Sequence, residues 1–149
     1  MTTDATISTL ISQNAGNVLV DLRTPTSTQA ALGGNYPFIC LFMSNSWVDS
    51  NKAVVQKIVN AYVKTLKYTQ THTAKQIADQ MPQDYYAGNK AAYVQALQNQ
   101  LKMFGPDGKM PADGPQAVLG IENAAGIVPS STNIDLSATY TNEFASAAS

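Results

Sequence analysis

The sequence predicts an α/β fold, helix-rich, with two clear strands and four to six helices. Three observations carry that expectation. Val18 to Leu22 reads as a compact strand, and Tyr36 to Met43 has the continuous hydrophobic character of a buried one. Apolar side chains recur at helical spacing from residue 52 to residue 71. The remainder alternates short periodic stretches with Pro, Gly, Asn and Asp, the punctuation of helices separated by turns. At 149 residues the chain is long enough for one domain with a real core.

Taken in order, residues 4–13 (DATISTLISQ) read as a short helix that Thr3 or Asp4 can cap, with Ile7, Leu10 and Ile11 on one stripe and Gly16 as its stop. VLVDL, residues 18–22, is a compact strand. RTPTSTQAALGGN is rich in Thr, Ser and Gly and reads as a connection with one helical turn; Gly33-Gly34 is a turn rather than a phosphate cradle. Tyr36 to Met43 is the second strand, apolar throughout and therefore expected to be covered on both faces. Asp49, Ser50 or Asn51 can cap the long helix at 52–71, whose buried face combines Val54, Ile58 and Ala61 with Val55, Val59, Tyr62 and Leu66.

Thr73 starts a second, short helix that Pro82 ends. Asn89 caps the next, KAAYVQALQNQLKMF, with Tyr93, Leu97, Leu101 and Phe104 on one side. Pro115 occupies a first-turn position of the following helix, which Gly126 stops. Asp135 or Ser137 starts a last turn through Phe144. Two strands rarely make a stable sheet on their own, so the pattern asks for strands that the chain does not contain.

Nine basic and ten acidic side chains give a net charge of −1, and the basic ones are scattered apart from Lys57, Lys64 and Lys67. Nucleic-acid binding needs clustered positive charge, so no nucleic-acid partner is expected. Charged residues are 13% of the chain, about half the usual share. Solubility then rests on Asn, Gln, Ser and Thr, a composition commoner in exported proteins. The first ten residues, MTTDATISTL, show neither the basic nor the apolar region of a signal peptide.

Catalytic patterns are sparse: GxSxG, a Walker loop, HExxH and CxxC are all lacking from the sequence. The one cysteine, Cys40, reads as a small buried core residue, and the one histidine, His72, as a helix-end residue complementing the dipole. No enzyme activity, cofactor or metal is expected. The N-terminal TTDAT is more suggestive, because hydroxyls and free N–H groups at a helix start make an anion site as well as a cap. Arg23, at the end of the first apolar run, could face a cleft or lie at the surface.

Several segments together resemble the solute-binding proteins of nitrate/sulfonate/taurine-type ABC importers. They are MTTDATI, NVLVDLRT, GGNYPFICLFMSNSWVDSNKAVVQKIVNAYVKTLKY, THTAKQIADQMPQDYYAGNKAAYVQAL, MFGPDGKMPADGPQAVL and IDLSATYTNEF, six matches in consistent order over nearly the whole chain. The resemblance implies the type II periplasmic binding protein fold, in which two α/β lobes joined by crossing segments close on a ligand. Within it, residues 1–25 are the end of lobe two, 26–37 an interlobe crossing, and 38–149 the C-terminal part of lobe one. A full member is about twice this length, so the chain is expected to be the C-terminal half, a shortened reading frame or gene fragment.

The same resemblance implies that Thr2, Thr3, Asp4, Arg23 and Thr24 bind the ligand, a small anion such as a sulfonate, taurine or nitrate. It implies as partners the ABC permease subunits in the membrane and either the missing N-terminal half or self-association, and it implies a periplasmic or cell-surface location. Two alternatives stand beside it. One is a truncated, non-binding remnant. The other is an enzyme resembling the thiamine-pyrimidine-precursor synthases, whose cysteine-rich iron-binding motif this chain lacks.

Overall fold

Where the sequence carries helix start and stop chemistry, the backbone follows it. The computed structural model describes residues 4–86 and 88–148, and of Asp4, Ala5, Ser8 and Thr9 the backbone alone. Among the described residues there are eight α-helices: α1 (Asp4–Ser12), α2 (Pro25–Leu32), α3 (Asn45–Ser50), α4 (Lys52–Thr71), α5 (Ala74–Asp79), α6 (Lys90–Gln100), α7 (Gly114–Ala124) and α8 (Glu143–Ser146). Three 3-10 turns, Gln83–Tyr86, Leu101–Met103 and Leu136–Ala138, complete the regular structure.

Caps explain several boundaries, although Asn51, which precedes α4, makes no side-chain cap hydrogen bond. α1 ends before Gly16, because Asn14 takes the left-handed conformation (φ 51°). Ala15 N–H then bonds Leu10 O at 2.8 Å and Asn14 N–H bonds Ile11 O at 3.0 Å, a Schellman closure. Gly126 (φ 71°) closes α7 in the same way, with Ile127 N–H on Glu122 O at 2.9 Å. α5 begins with a full capping box between Thr73 and Gln76, and α6 with Asn89 accepting from Ala92 N–H at 3.0 Å. The expected connection after Arg23 is instead the eight-residue α2: Thr24 caps it, Pro25 supplies the first helical residue, and Gly33 ends it.

The α/β expectation is corrected: no strand is present among the described residues, and the architecture is all-helical. Residues 18–22 and 36–43 are non-helical, but they make no backbone–backbone hydrogen bonds with each other or with any other described residue. Apolar composition suits a residue to a sheet surface, whereas a strand exists only when a neighbour supplies the ladder. Burial is corrected with it. Leu19 is 95% exposed, Ile39 84% and Phe42 90%, and Cys40 is exposed rather than part of the core.

α4 is the spine. Its buried side chains are Val55 and Val63, with Val59 and Leu66 half-buried in line with them, while Val54, Ala61 and Tyr62 of the expected face are exposed. α8 packs against α4 and buries Phe144; Gln56 Nε2 of α4 donates to Phe144 O at 2.9 Å. The loop before α7 is fastened to the start of α8 by a reciprocal pair, Met110 N–H to Asn142 Oδ1 (2.8 Å) and Asn142 Nδ2 to Met110 O (3.2 Å). α5 and α1 both pack on α6. Among the described residues the buried apolar core is Val55, Val63, Ala74, Ile77, Ala78 and Phe144. A folded monomer of 15.9 kDa exposes about 7,400 Å² by size scaling; this chain exposes 10477 Å².

Candidate functional site

The residues expected to bind a ligand fall in two places. Thr2 and Thr3 lie outside the described residues, and Asp4 is the first residue of α1, its side chain likewise outside them. Arg23 and Thr24 stand together at the start of α2. Around them the local sequence builds a small polar group. Asp21 accepts three bonds from Arg23: from the backbone N–H (2.9 Å), from Nε (2.9 Å) and from Nη2 (2.7 Å). The guanidinium hydrogen bonds, followed by the Arg23 N–H, hold the Asp21 carboxyl below its usual range.

The hydroxyls next to this pair are also engaged. Thr24 Oγ1 accepts from Ser27 N–H at 3.1 Å and lies 2.7 Å from Ser27 Oγ. Thr28 Oγ1 donates to Leu22 O at 3.0 Å, tying α2 back to the segment before it. A cation, hydroxyls and a helix N-terminus therefore converge within a few residues, an arrangement suited to an oxyanion. Asp21 is the member that the sequence reading passed over. An acidic residue two positions before an arginine was the available signal.

Two open depressions lie elsewhere, and neither is lined by Arg23 or Thr24. The first, about 300 Å³, lies between α3, the start of α4 and α8, with Asp49, Lys52 and Glu143 at its wall. The second, about 290 Å³, is largely apolar and is bounded by Pro37, Cys40, Pro115, Leu119 and Leu136. No group of three or more His, Cys, Asp or Glu among the described residues could hold a metal ion. No described helix is long and apolar enough to cross a membrane.

A further charged cluster sits at the α5–α6 junction. Asp79 accepts from Lys75 at 2.9 Å and from Lys90 at 2.6 Å. Those two hydrogen bonds, Lys90's first, lower the Asp79 carboxyl, and the Asp79 contact raises Lys90. Lys90 also lies 5.1 Å from the centre of the Tyr86 ring. All three charges are solvent-accessible, and such pairs orient a surface rather than stabilise it strongly.

No family model and no curated protein matches the sequence. A solved structure of a protein from Bordetella bronchiseptica RB50 is similar, with 31% identity and a TM-score of 0.82. The match covers 95% of this chain and 44% of that one. The chain spans less than half the length of its structural relative. The helical arrangement described above therefore recurs within a longer polypeptide, in which more than half of the residues lie outside the shared part.

Proposed function

We propose that the chain is part of the solute-capture component of an ABC importer, acting at the periplasmic face or cell surface and taking a small anion such as a sulfonate, taurine or nitrate. The observation that carries this reading is the ordered series of six segments resembling such receptors. The polar group at the start of α2 supports it chemically. Asp21 presents a carboxylate to Arg23 through Nε and Nη2, and a sulfonate or nitrate has oxygens placed to take the same fork. Anion capture is then an exchange: the incoming oxyanion replaces Asp21 at the guanidinium, with the N-terminus of α2 beside it. The work is binding, with delivery to the permease subunits.

The test is thermal melting of the natively purified protein with taurine, ethanesulfonate and nitrate. A ligand at a hundredfold excess over Kd stabilises by about 2.7 kcal/mol, a rise of about 5–10 °C for a domain of this size. Arg23→Ala is expected to abolish the rise, and Arg23→Lys to weaken it through loss of the fork. Unchanged melting with all three anions would sink the reading.

A further inference from the structure

Residues 18–20 and 38–42 are the most conspicuous exposed apolar runs among the described residues. Leu19, Ile39 and Phe42 are almost fully exposed, and Phe38 is 69% exposed. Isolated exposed apolar residues are ordinary, but runs of them are not. The backbone of the same residues makes no backbone–backbone hydrogen bonds with the described residues, so apolar side chains and open peptide groups coincide.

Two independent observations bear on what could cover these runs. The accessible area exceeds that of a monomer of this mass by about 3,000 Å², which is the scale of an obligate interface and beyond a transient one. The structural relative retains this arrangement inside a chain of which 44% is matched, so in that protein additional polypeptide is available to lie against the equivalent segments.

We infer that residues 18–20 and 38–42 are the docking surface for a complementary polypeptide, one corresponding to the unmatched portion of the Bordetella protein. Its apolar side chains cover Leu19, Phe38, Ile39 and Phe42, and an extended stretch of it pairs with the open backbone of residues 38–42. This inference stands on exposure, area and structural likeness, and it does not depend on anion capture.

The experiment co-expresses residues 1–149 with the unmatched portion of the Bordetella protein as a separate polypeptide. The expected result is a one-to-one complex by light scattering, with amide exchange at 18–20 and 38–42 slowed at least tenfold relative to 1–149 alone. Ile39→Asp and Phe42→Asp, at exposed positions, are expected to leave the helical signal of 1–149 unchanged and to abolish the complex, whereas Tyr85→Asp, on the exposed 3-10 turn, leaves the complex intact. Failure to form the complex overturns the inference, as does a complex without protection of these amides. A homodimer of 1–149 that protects the same amides overturns it in favour of a second copy. A protected complex that ignores taurine, ethanesulfonate and nitrate leaves the docking surface standing and removes the anion reading alone.

Discussion

Asn35 and Asp113, 78 positions apart, are joined by three hydrogen bonds: Asn35 N–H donates to Asp113 Oδ2 at 3.0 Å, and Asn35 Nδ2 donates to Oδ1 and Oδ2 at 3.0 and 3.1 Å. Asp113 precedes α7, so the contact fastens the segment leading into the exposed apolar run onto a helix start. The approach is close as well, since a side chain at Gly34 would begin 3.0 Å from Ala117 Cβ. Asp113→Ala is expected to lower the melting temperature by a few degrees and to speed amide exchange at Asn35.

The same contact makes stability depend on pH. Hydrogen bonds from Asn35, the backbone one foremost, hold the Asp113 carboxyl below its ordinary value of 3.8. Asp135 is lowered in the same sense by Ser137, through its side chain first, as is Asp21 by Arg23. A carboxyl with a depressed folded-state pKa contributes stability that is complete above the unfolded value and is lost as pH falls through the folded one. The urea midpoint is therefore expected to be flat from pH 7 to about 5 and to fall below about pH 4. Asp113→Asn should show a smaller acid loss than the parent chain, and an equal loss would count against the assignment.

Phe144 is the largest side chain in the small core, and α8, which carries it, has four residues. Packing, not helix propensity, holds that segment. Phe144→Ala is expected to cost about 3 kcal/mol, the lower end of the range for such truncations because the site lies near the surface. Urea denaturation measures the loss, and exchange of the Glu143–Ser146 amides should rise with it.

At α5, Thr73 and Gln76 cap one another: Gln76 N–H reaches Thr73 Oγ1 at 3.3 Å, and Thr73 N–H reaches Gln76 Oε1 at 2.9 Å. Thr73→Ala removes one half of the box and is expected to destabilise by about 1 kcal/mol. Thr73→Ser, which keeps the hydroxyl, should restore most of that in the same denaturation assay.

The C-terminal end of α5 is closed by Tyr86, whose hydroxyl donates to Ala78 O and lies 3.0 Å from Met81 O. Its ring meets Tyr93 at 5.4 Å between centroids. Tyr86→Phe keeps the ring and removes the hydroxyl, with an expected cost of about 1 kcal/mol. Tyr86→Leu should cost more, because the contact with Tyr93 goes too.

Helices were legible where their chemistry is local. Lys52–Thr71 shows its period in the apolar spacing, Thr73 and Asn89 identify themselves as caps, and Gly126 as a stop, because each acts within four residues of itself. α2 was equally available from Thr24-Pro25 and Gly33, yet its Thr and Ser content favoured a connection. α3, between Ser44 and Asn51, carries no side-chain cap at its start, and little in the sequence separates it from a turn. Arg23 and Thr24 were named from the sequence as expected ligand contacts, whereas the engagement of Arg23 by Asp21 is visible only in the folded chain.

The long helix Lys52–Thr71, the caps at Thr73 and Asn89 and the scarcity of charge are thus legible in the sequence alone, since each is set by neighbours a few residues away. The state of Val18–Leu22 and Tyr36–Met43 is not. Their apolar side chains suit a strand, but sheet pairing, unlike a helix, takes its hydrogen bonds from another segment. Tertiary structure alone decided that no such segment lies beside them among the described residues, leaving Leu19, Ile39 and Phe42 in solvent.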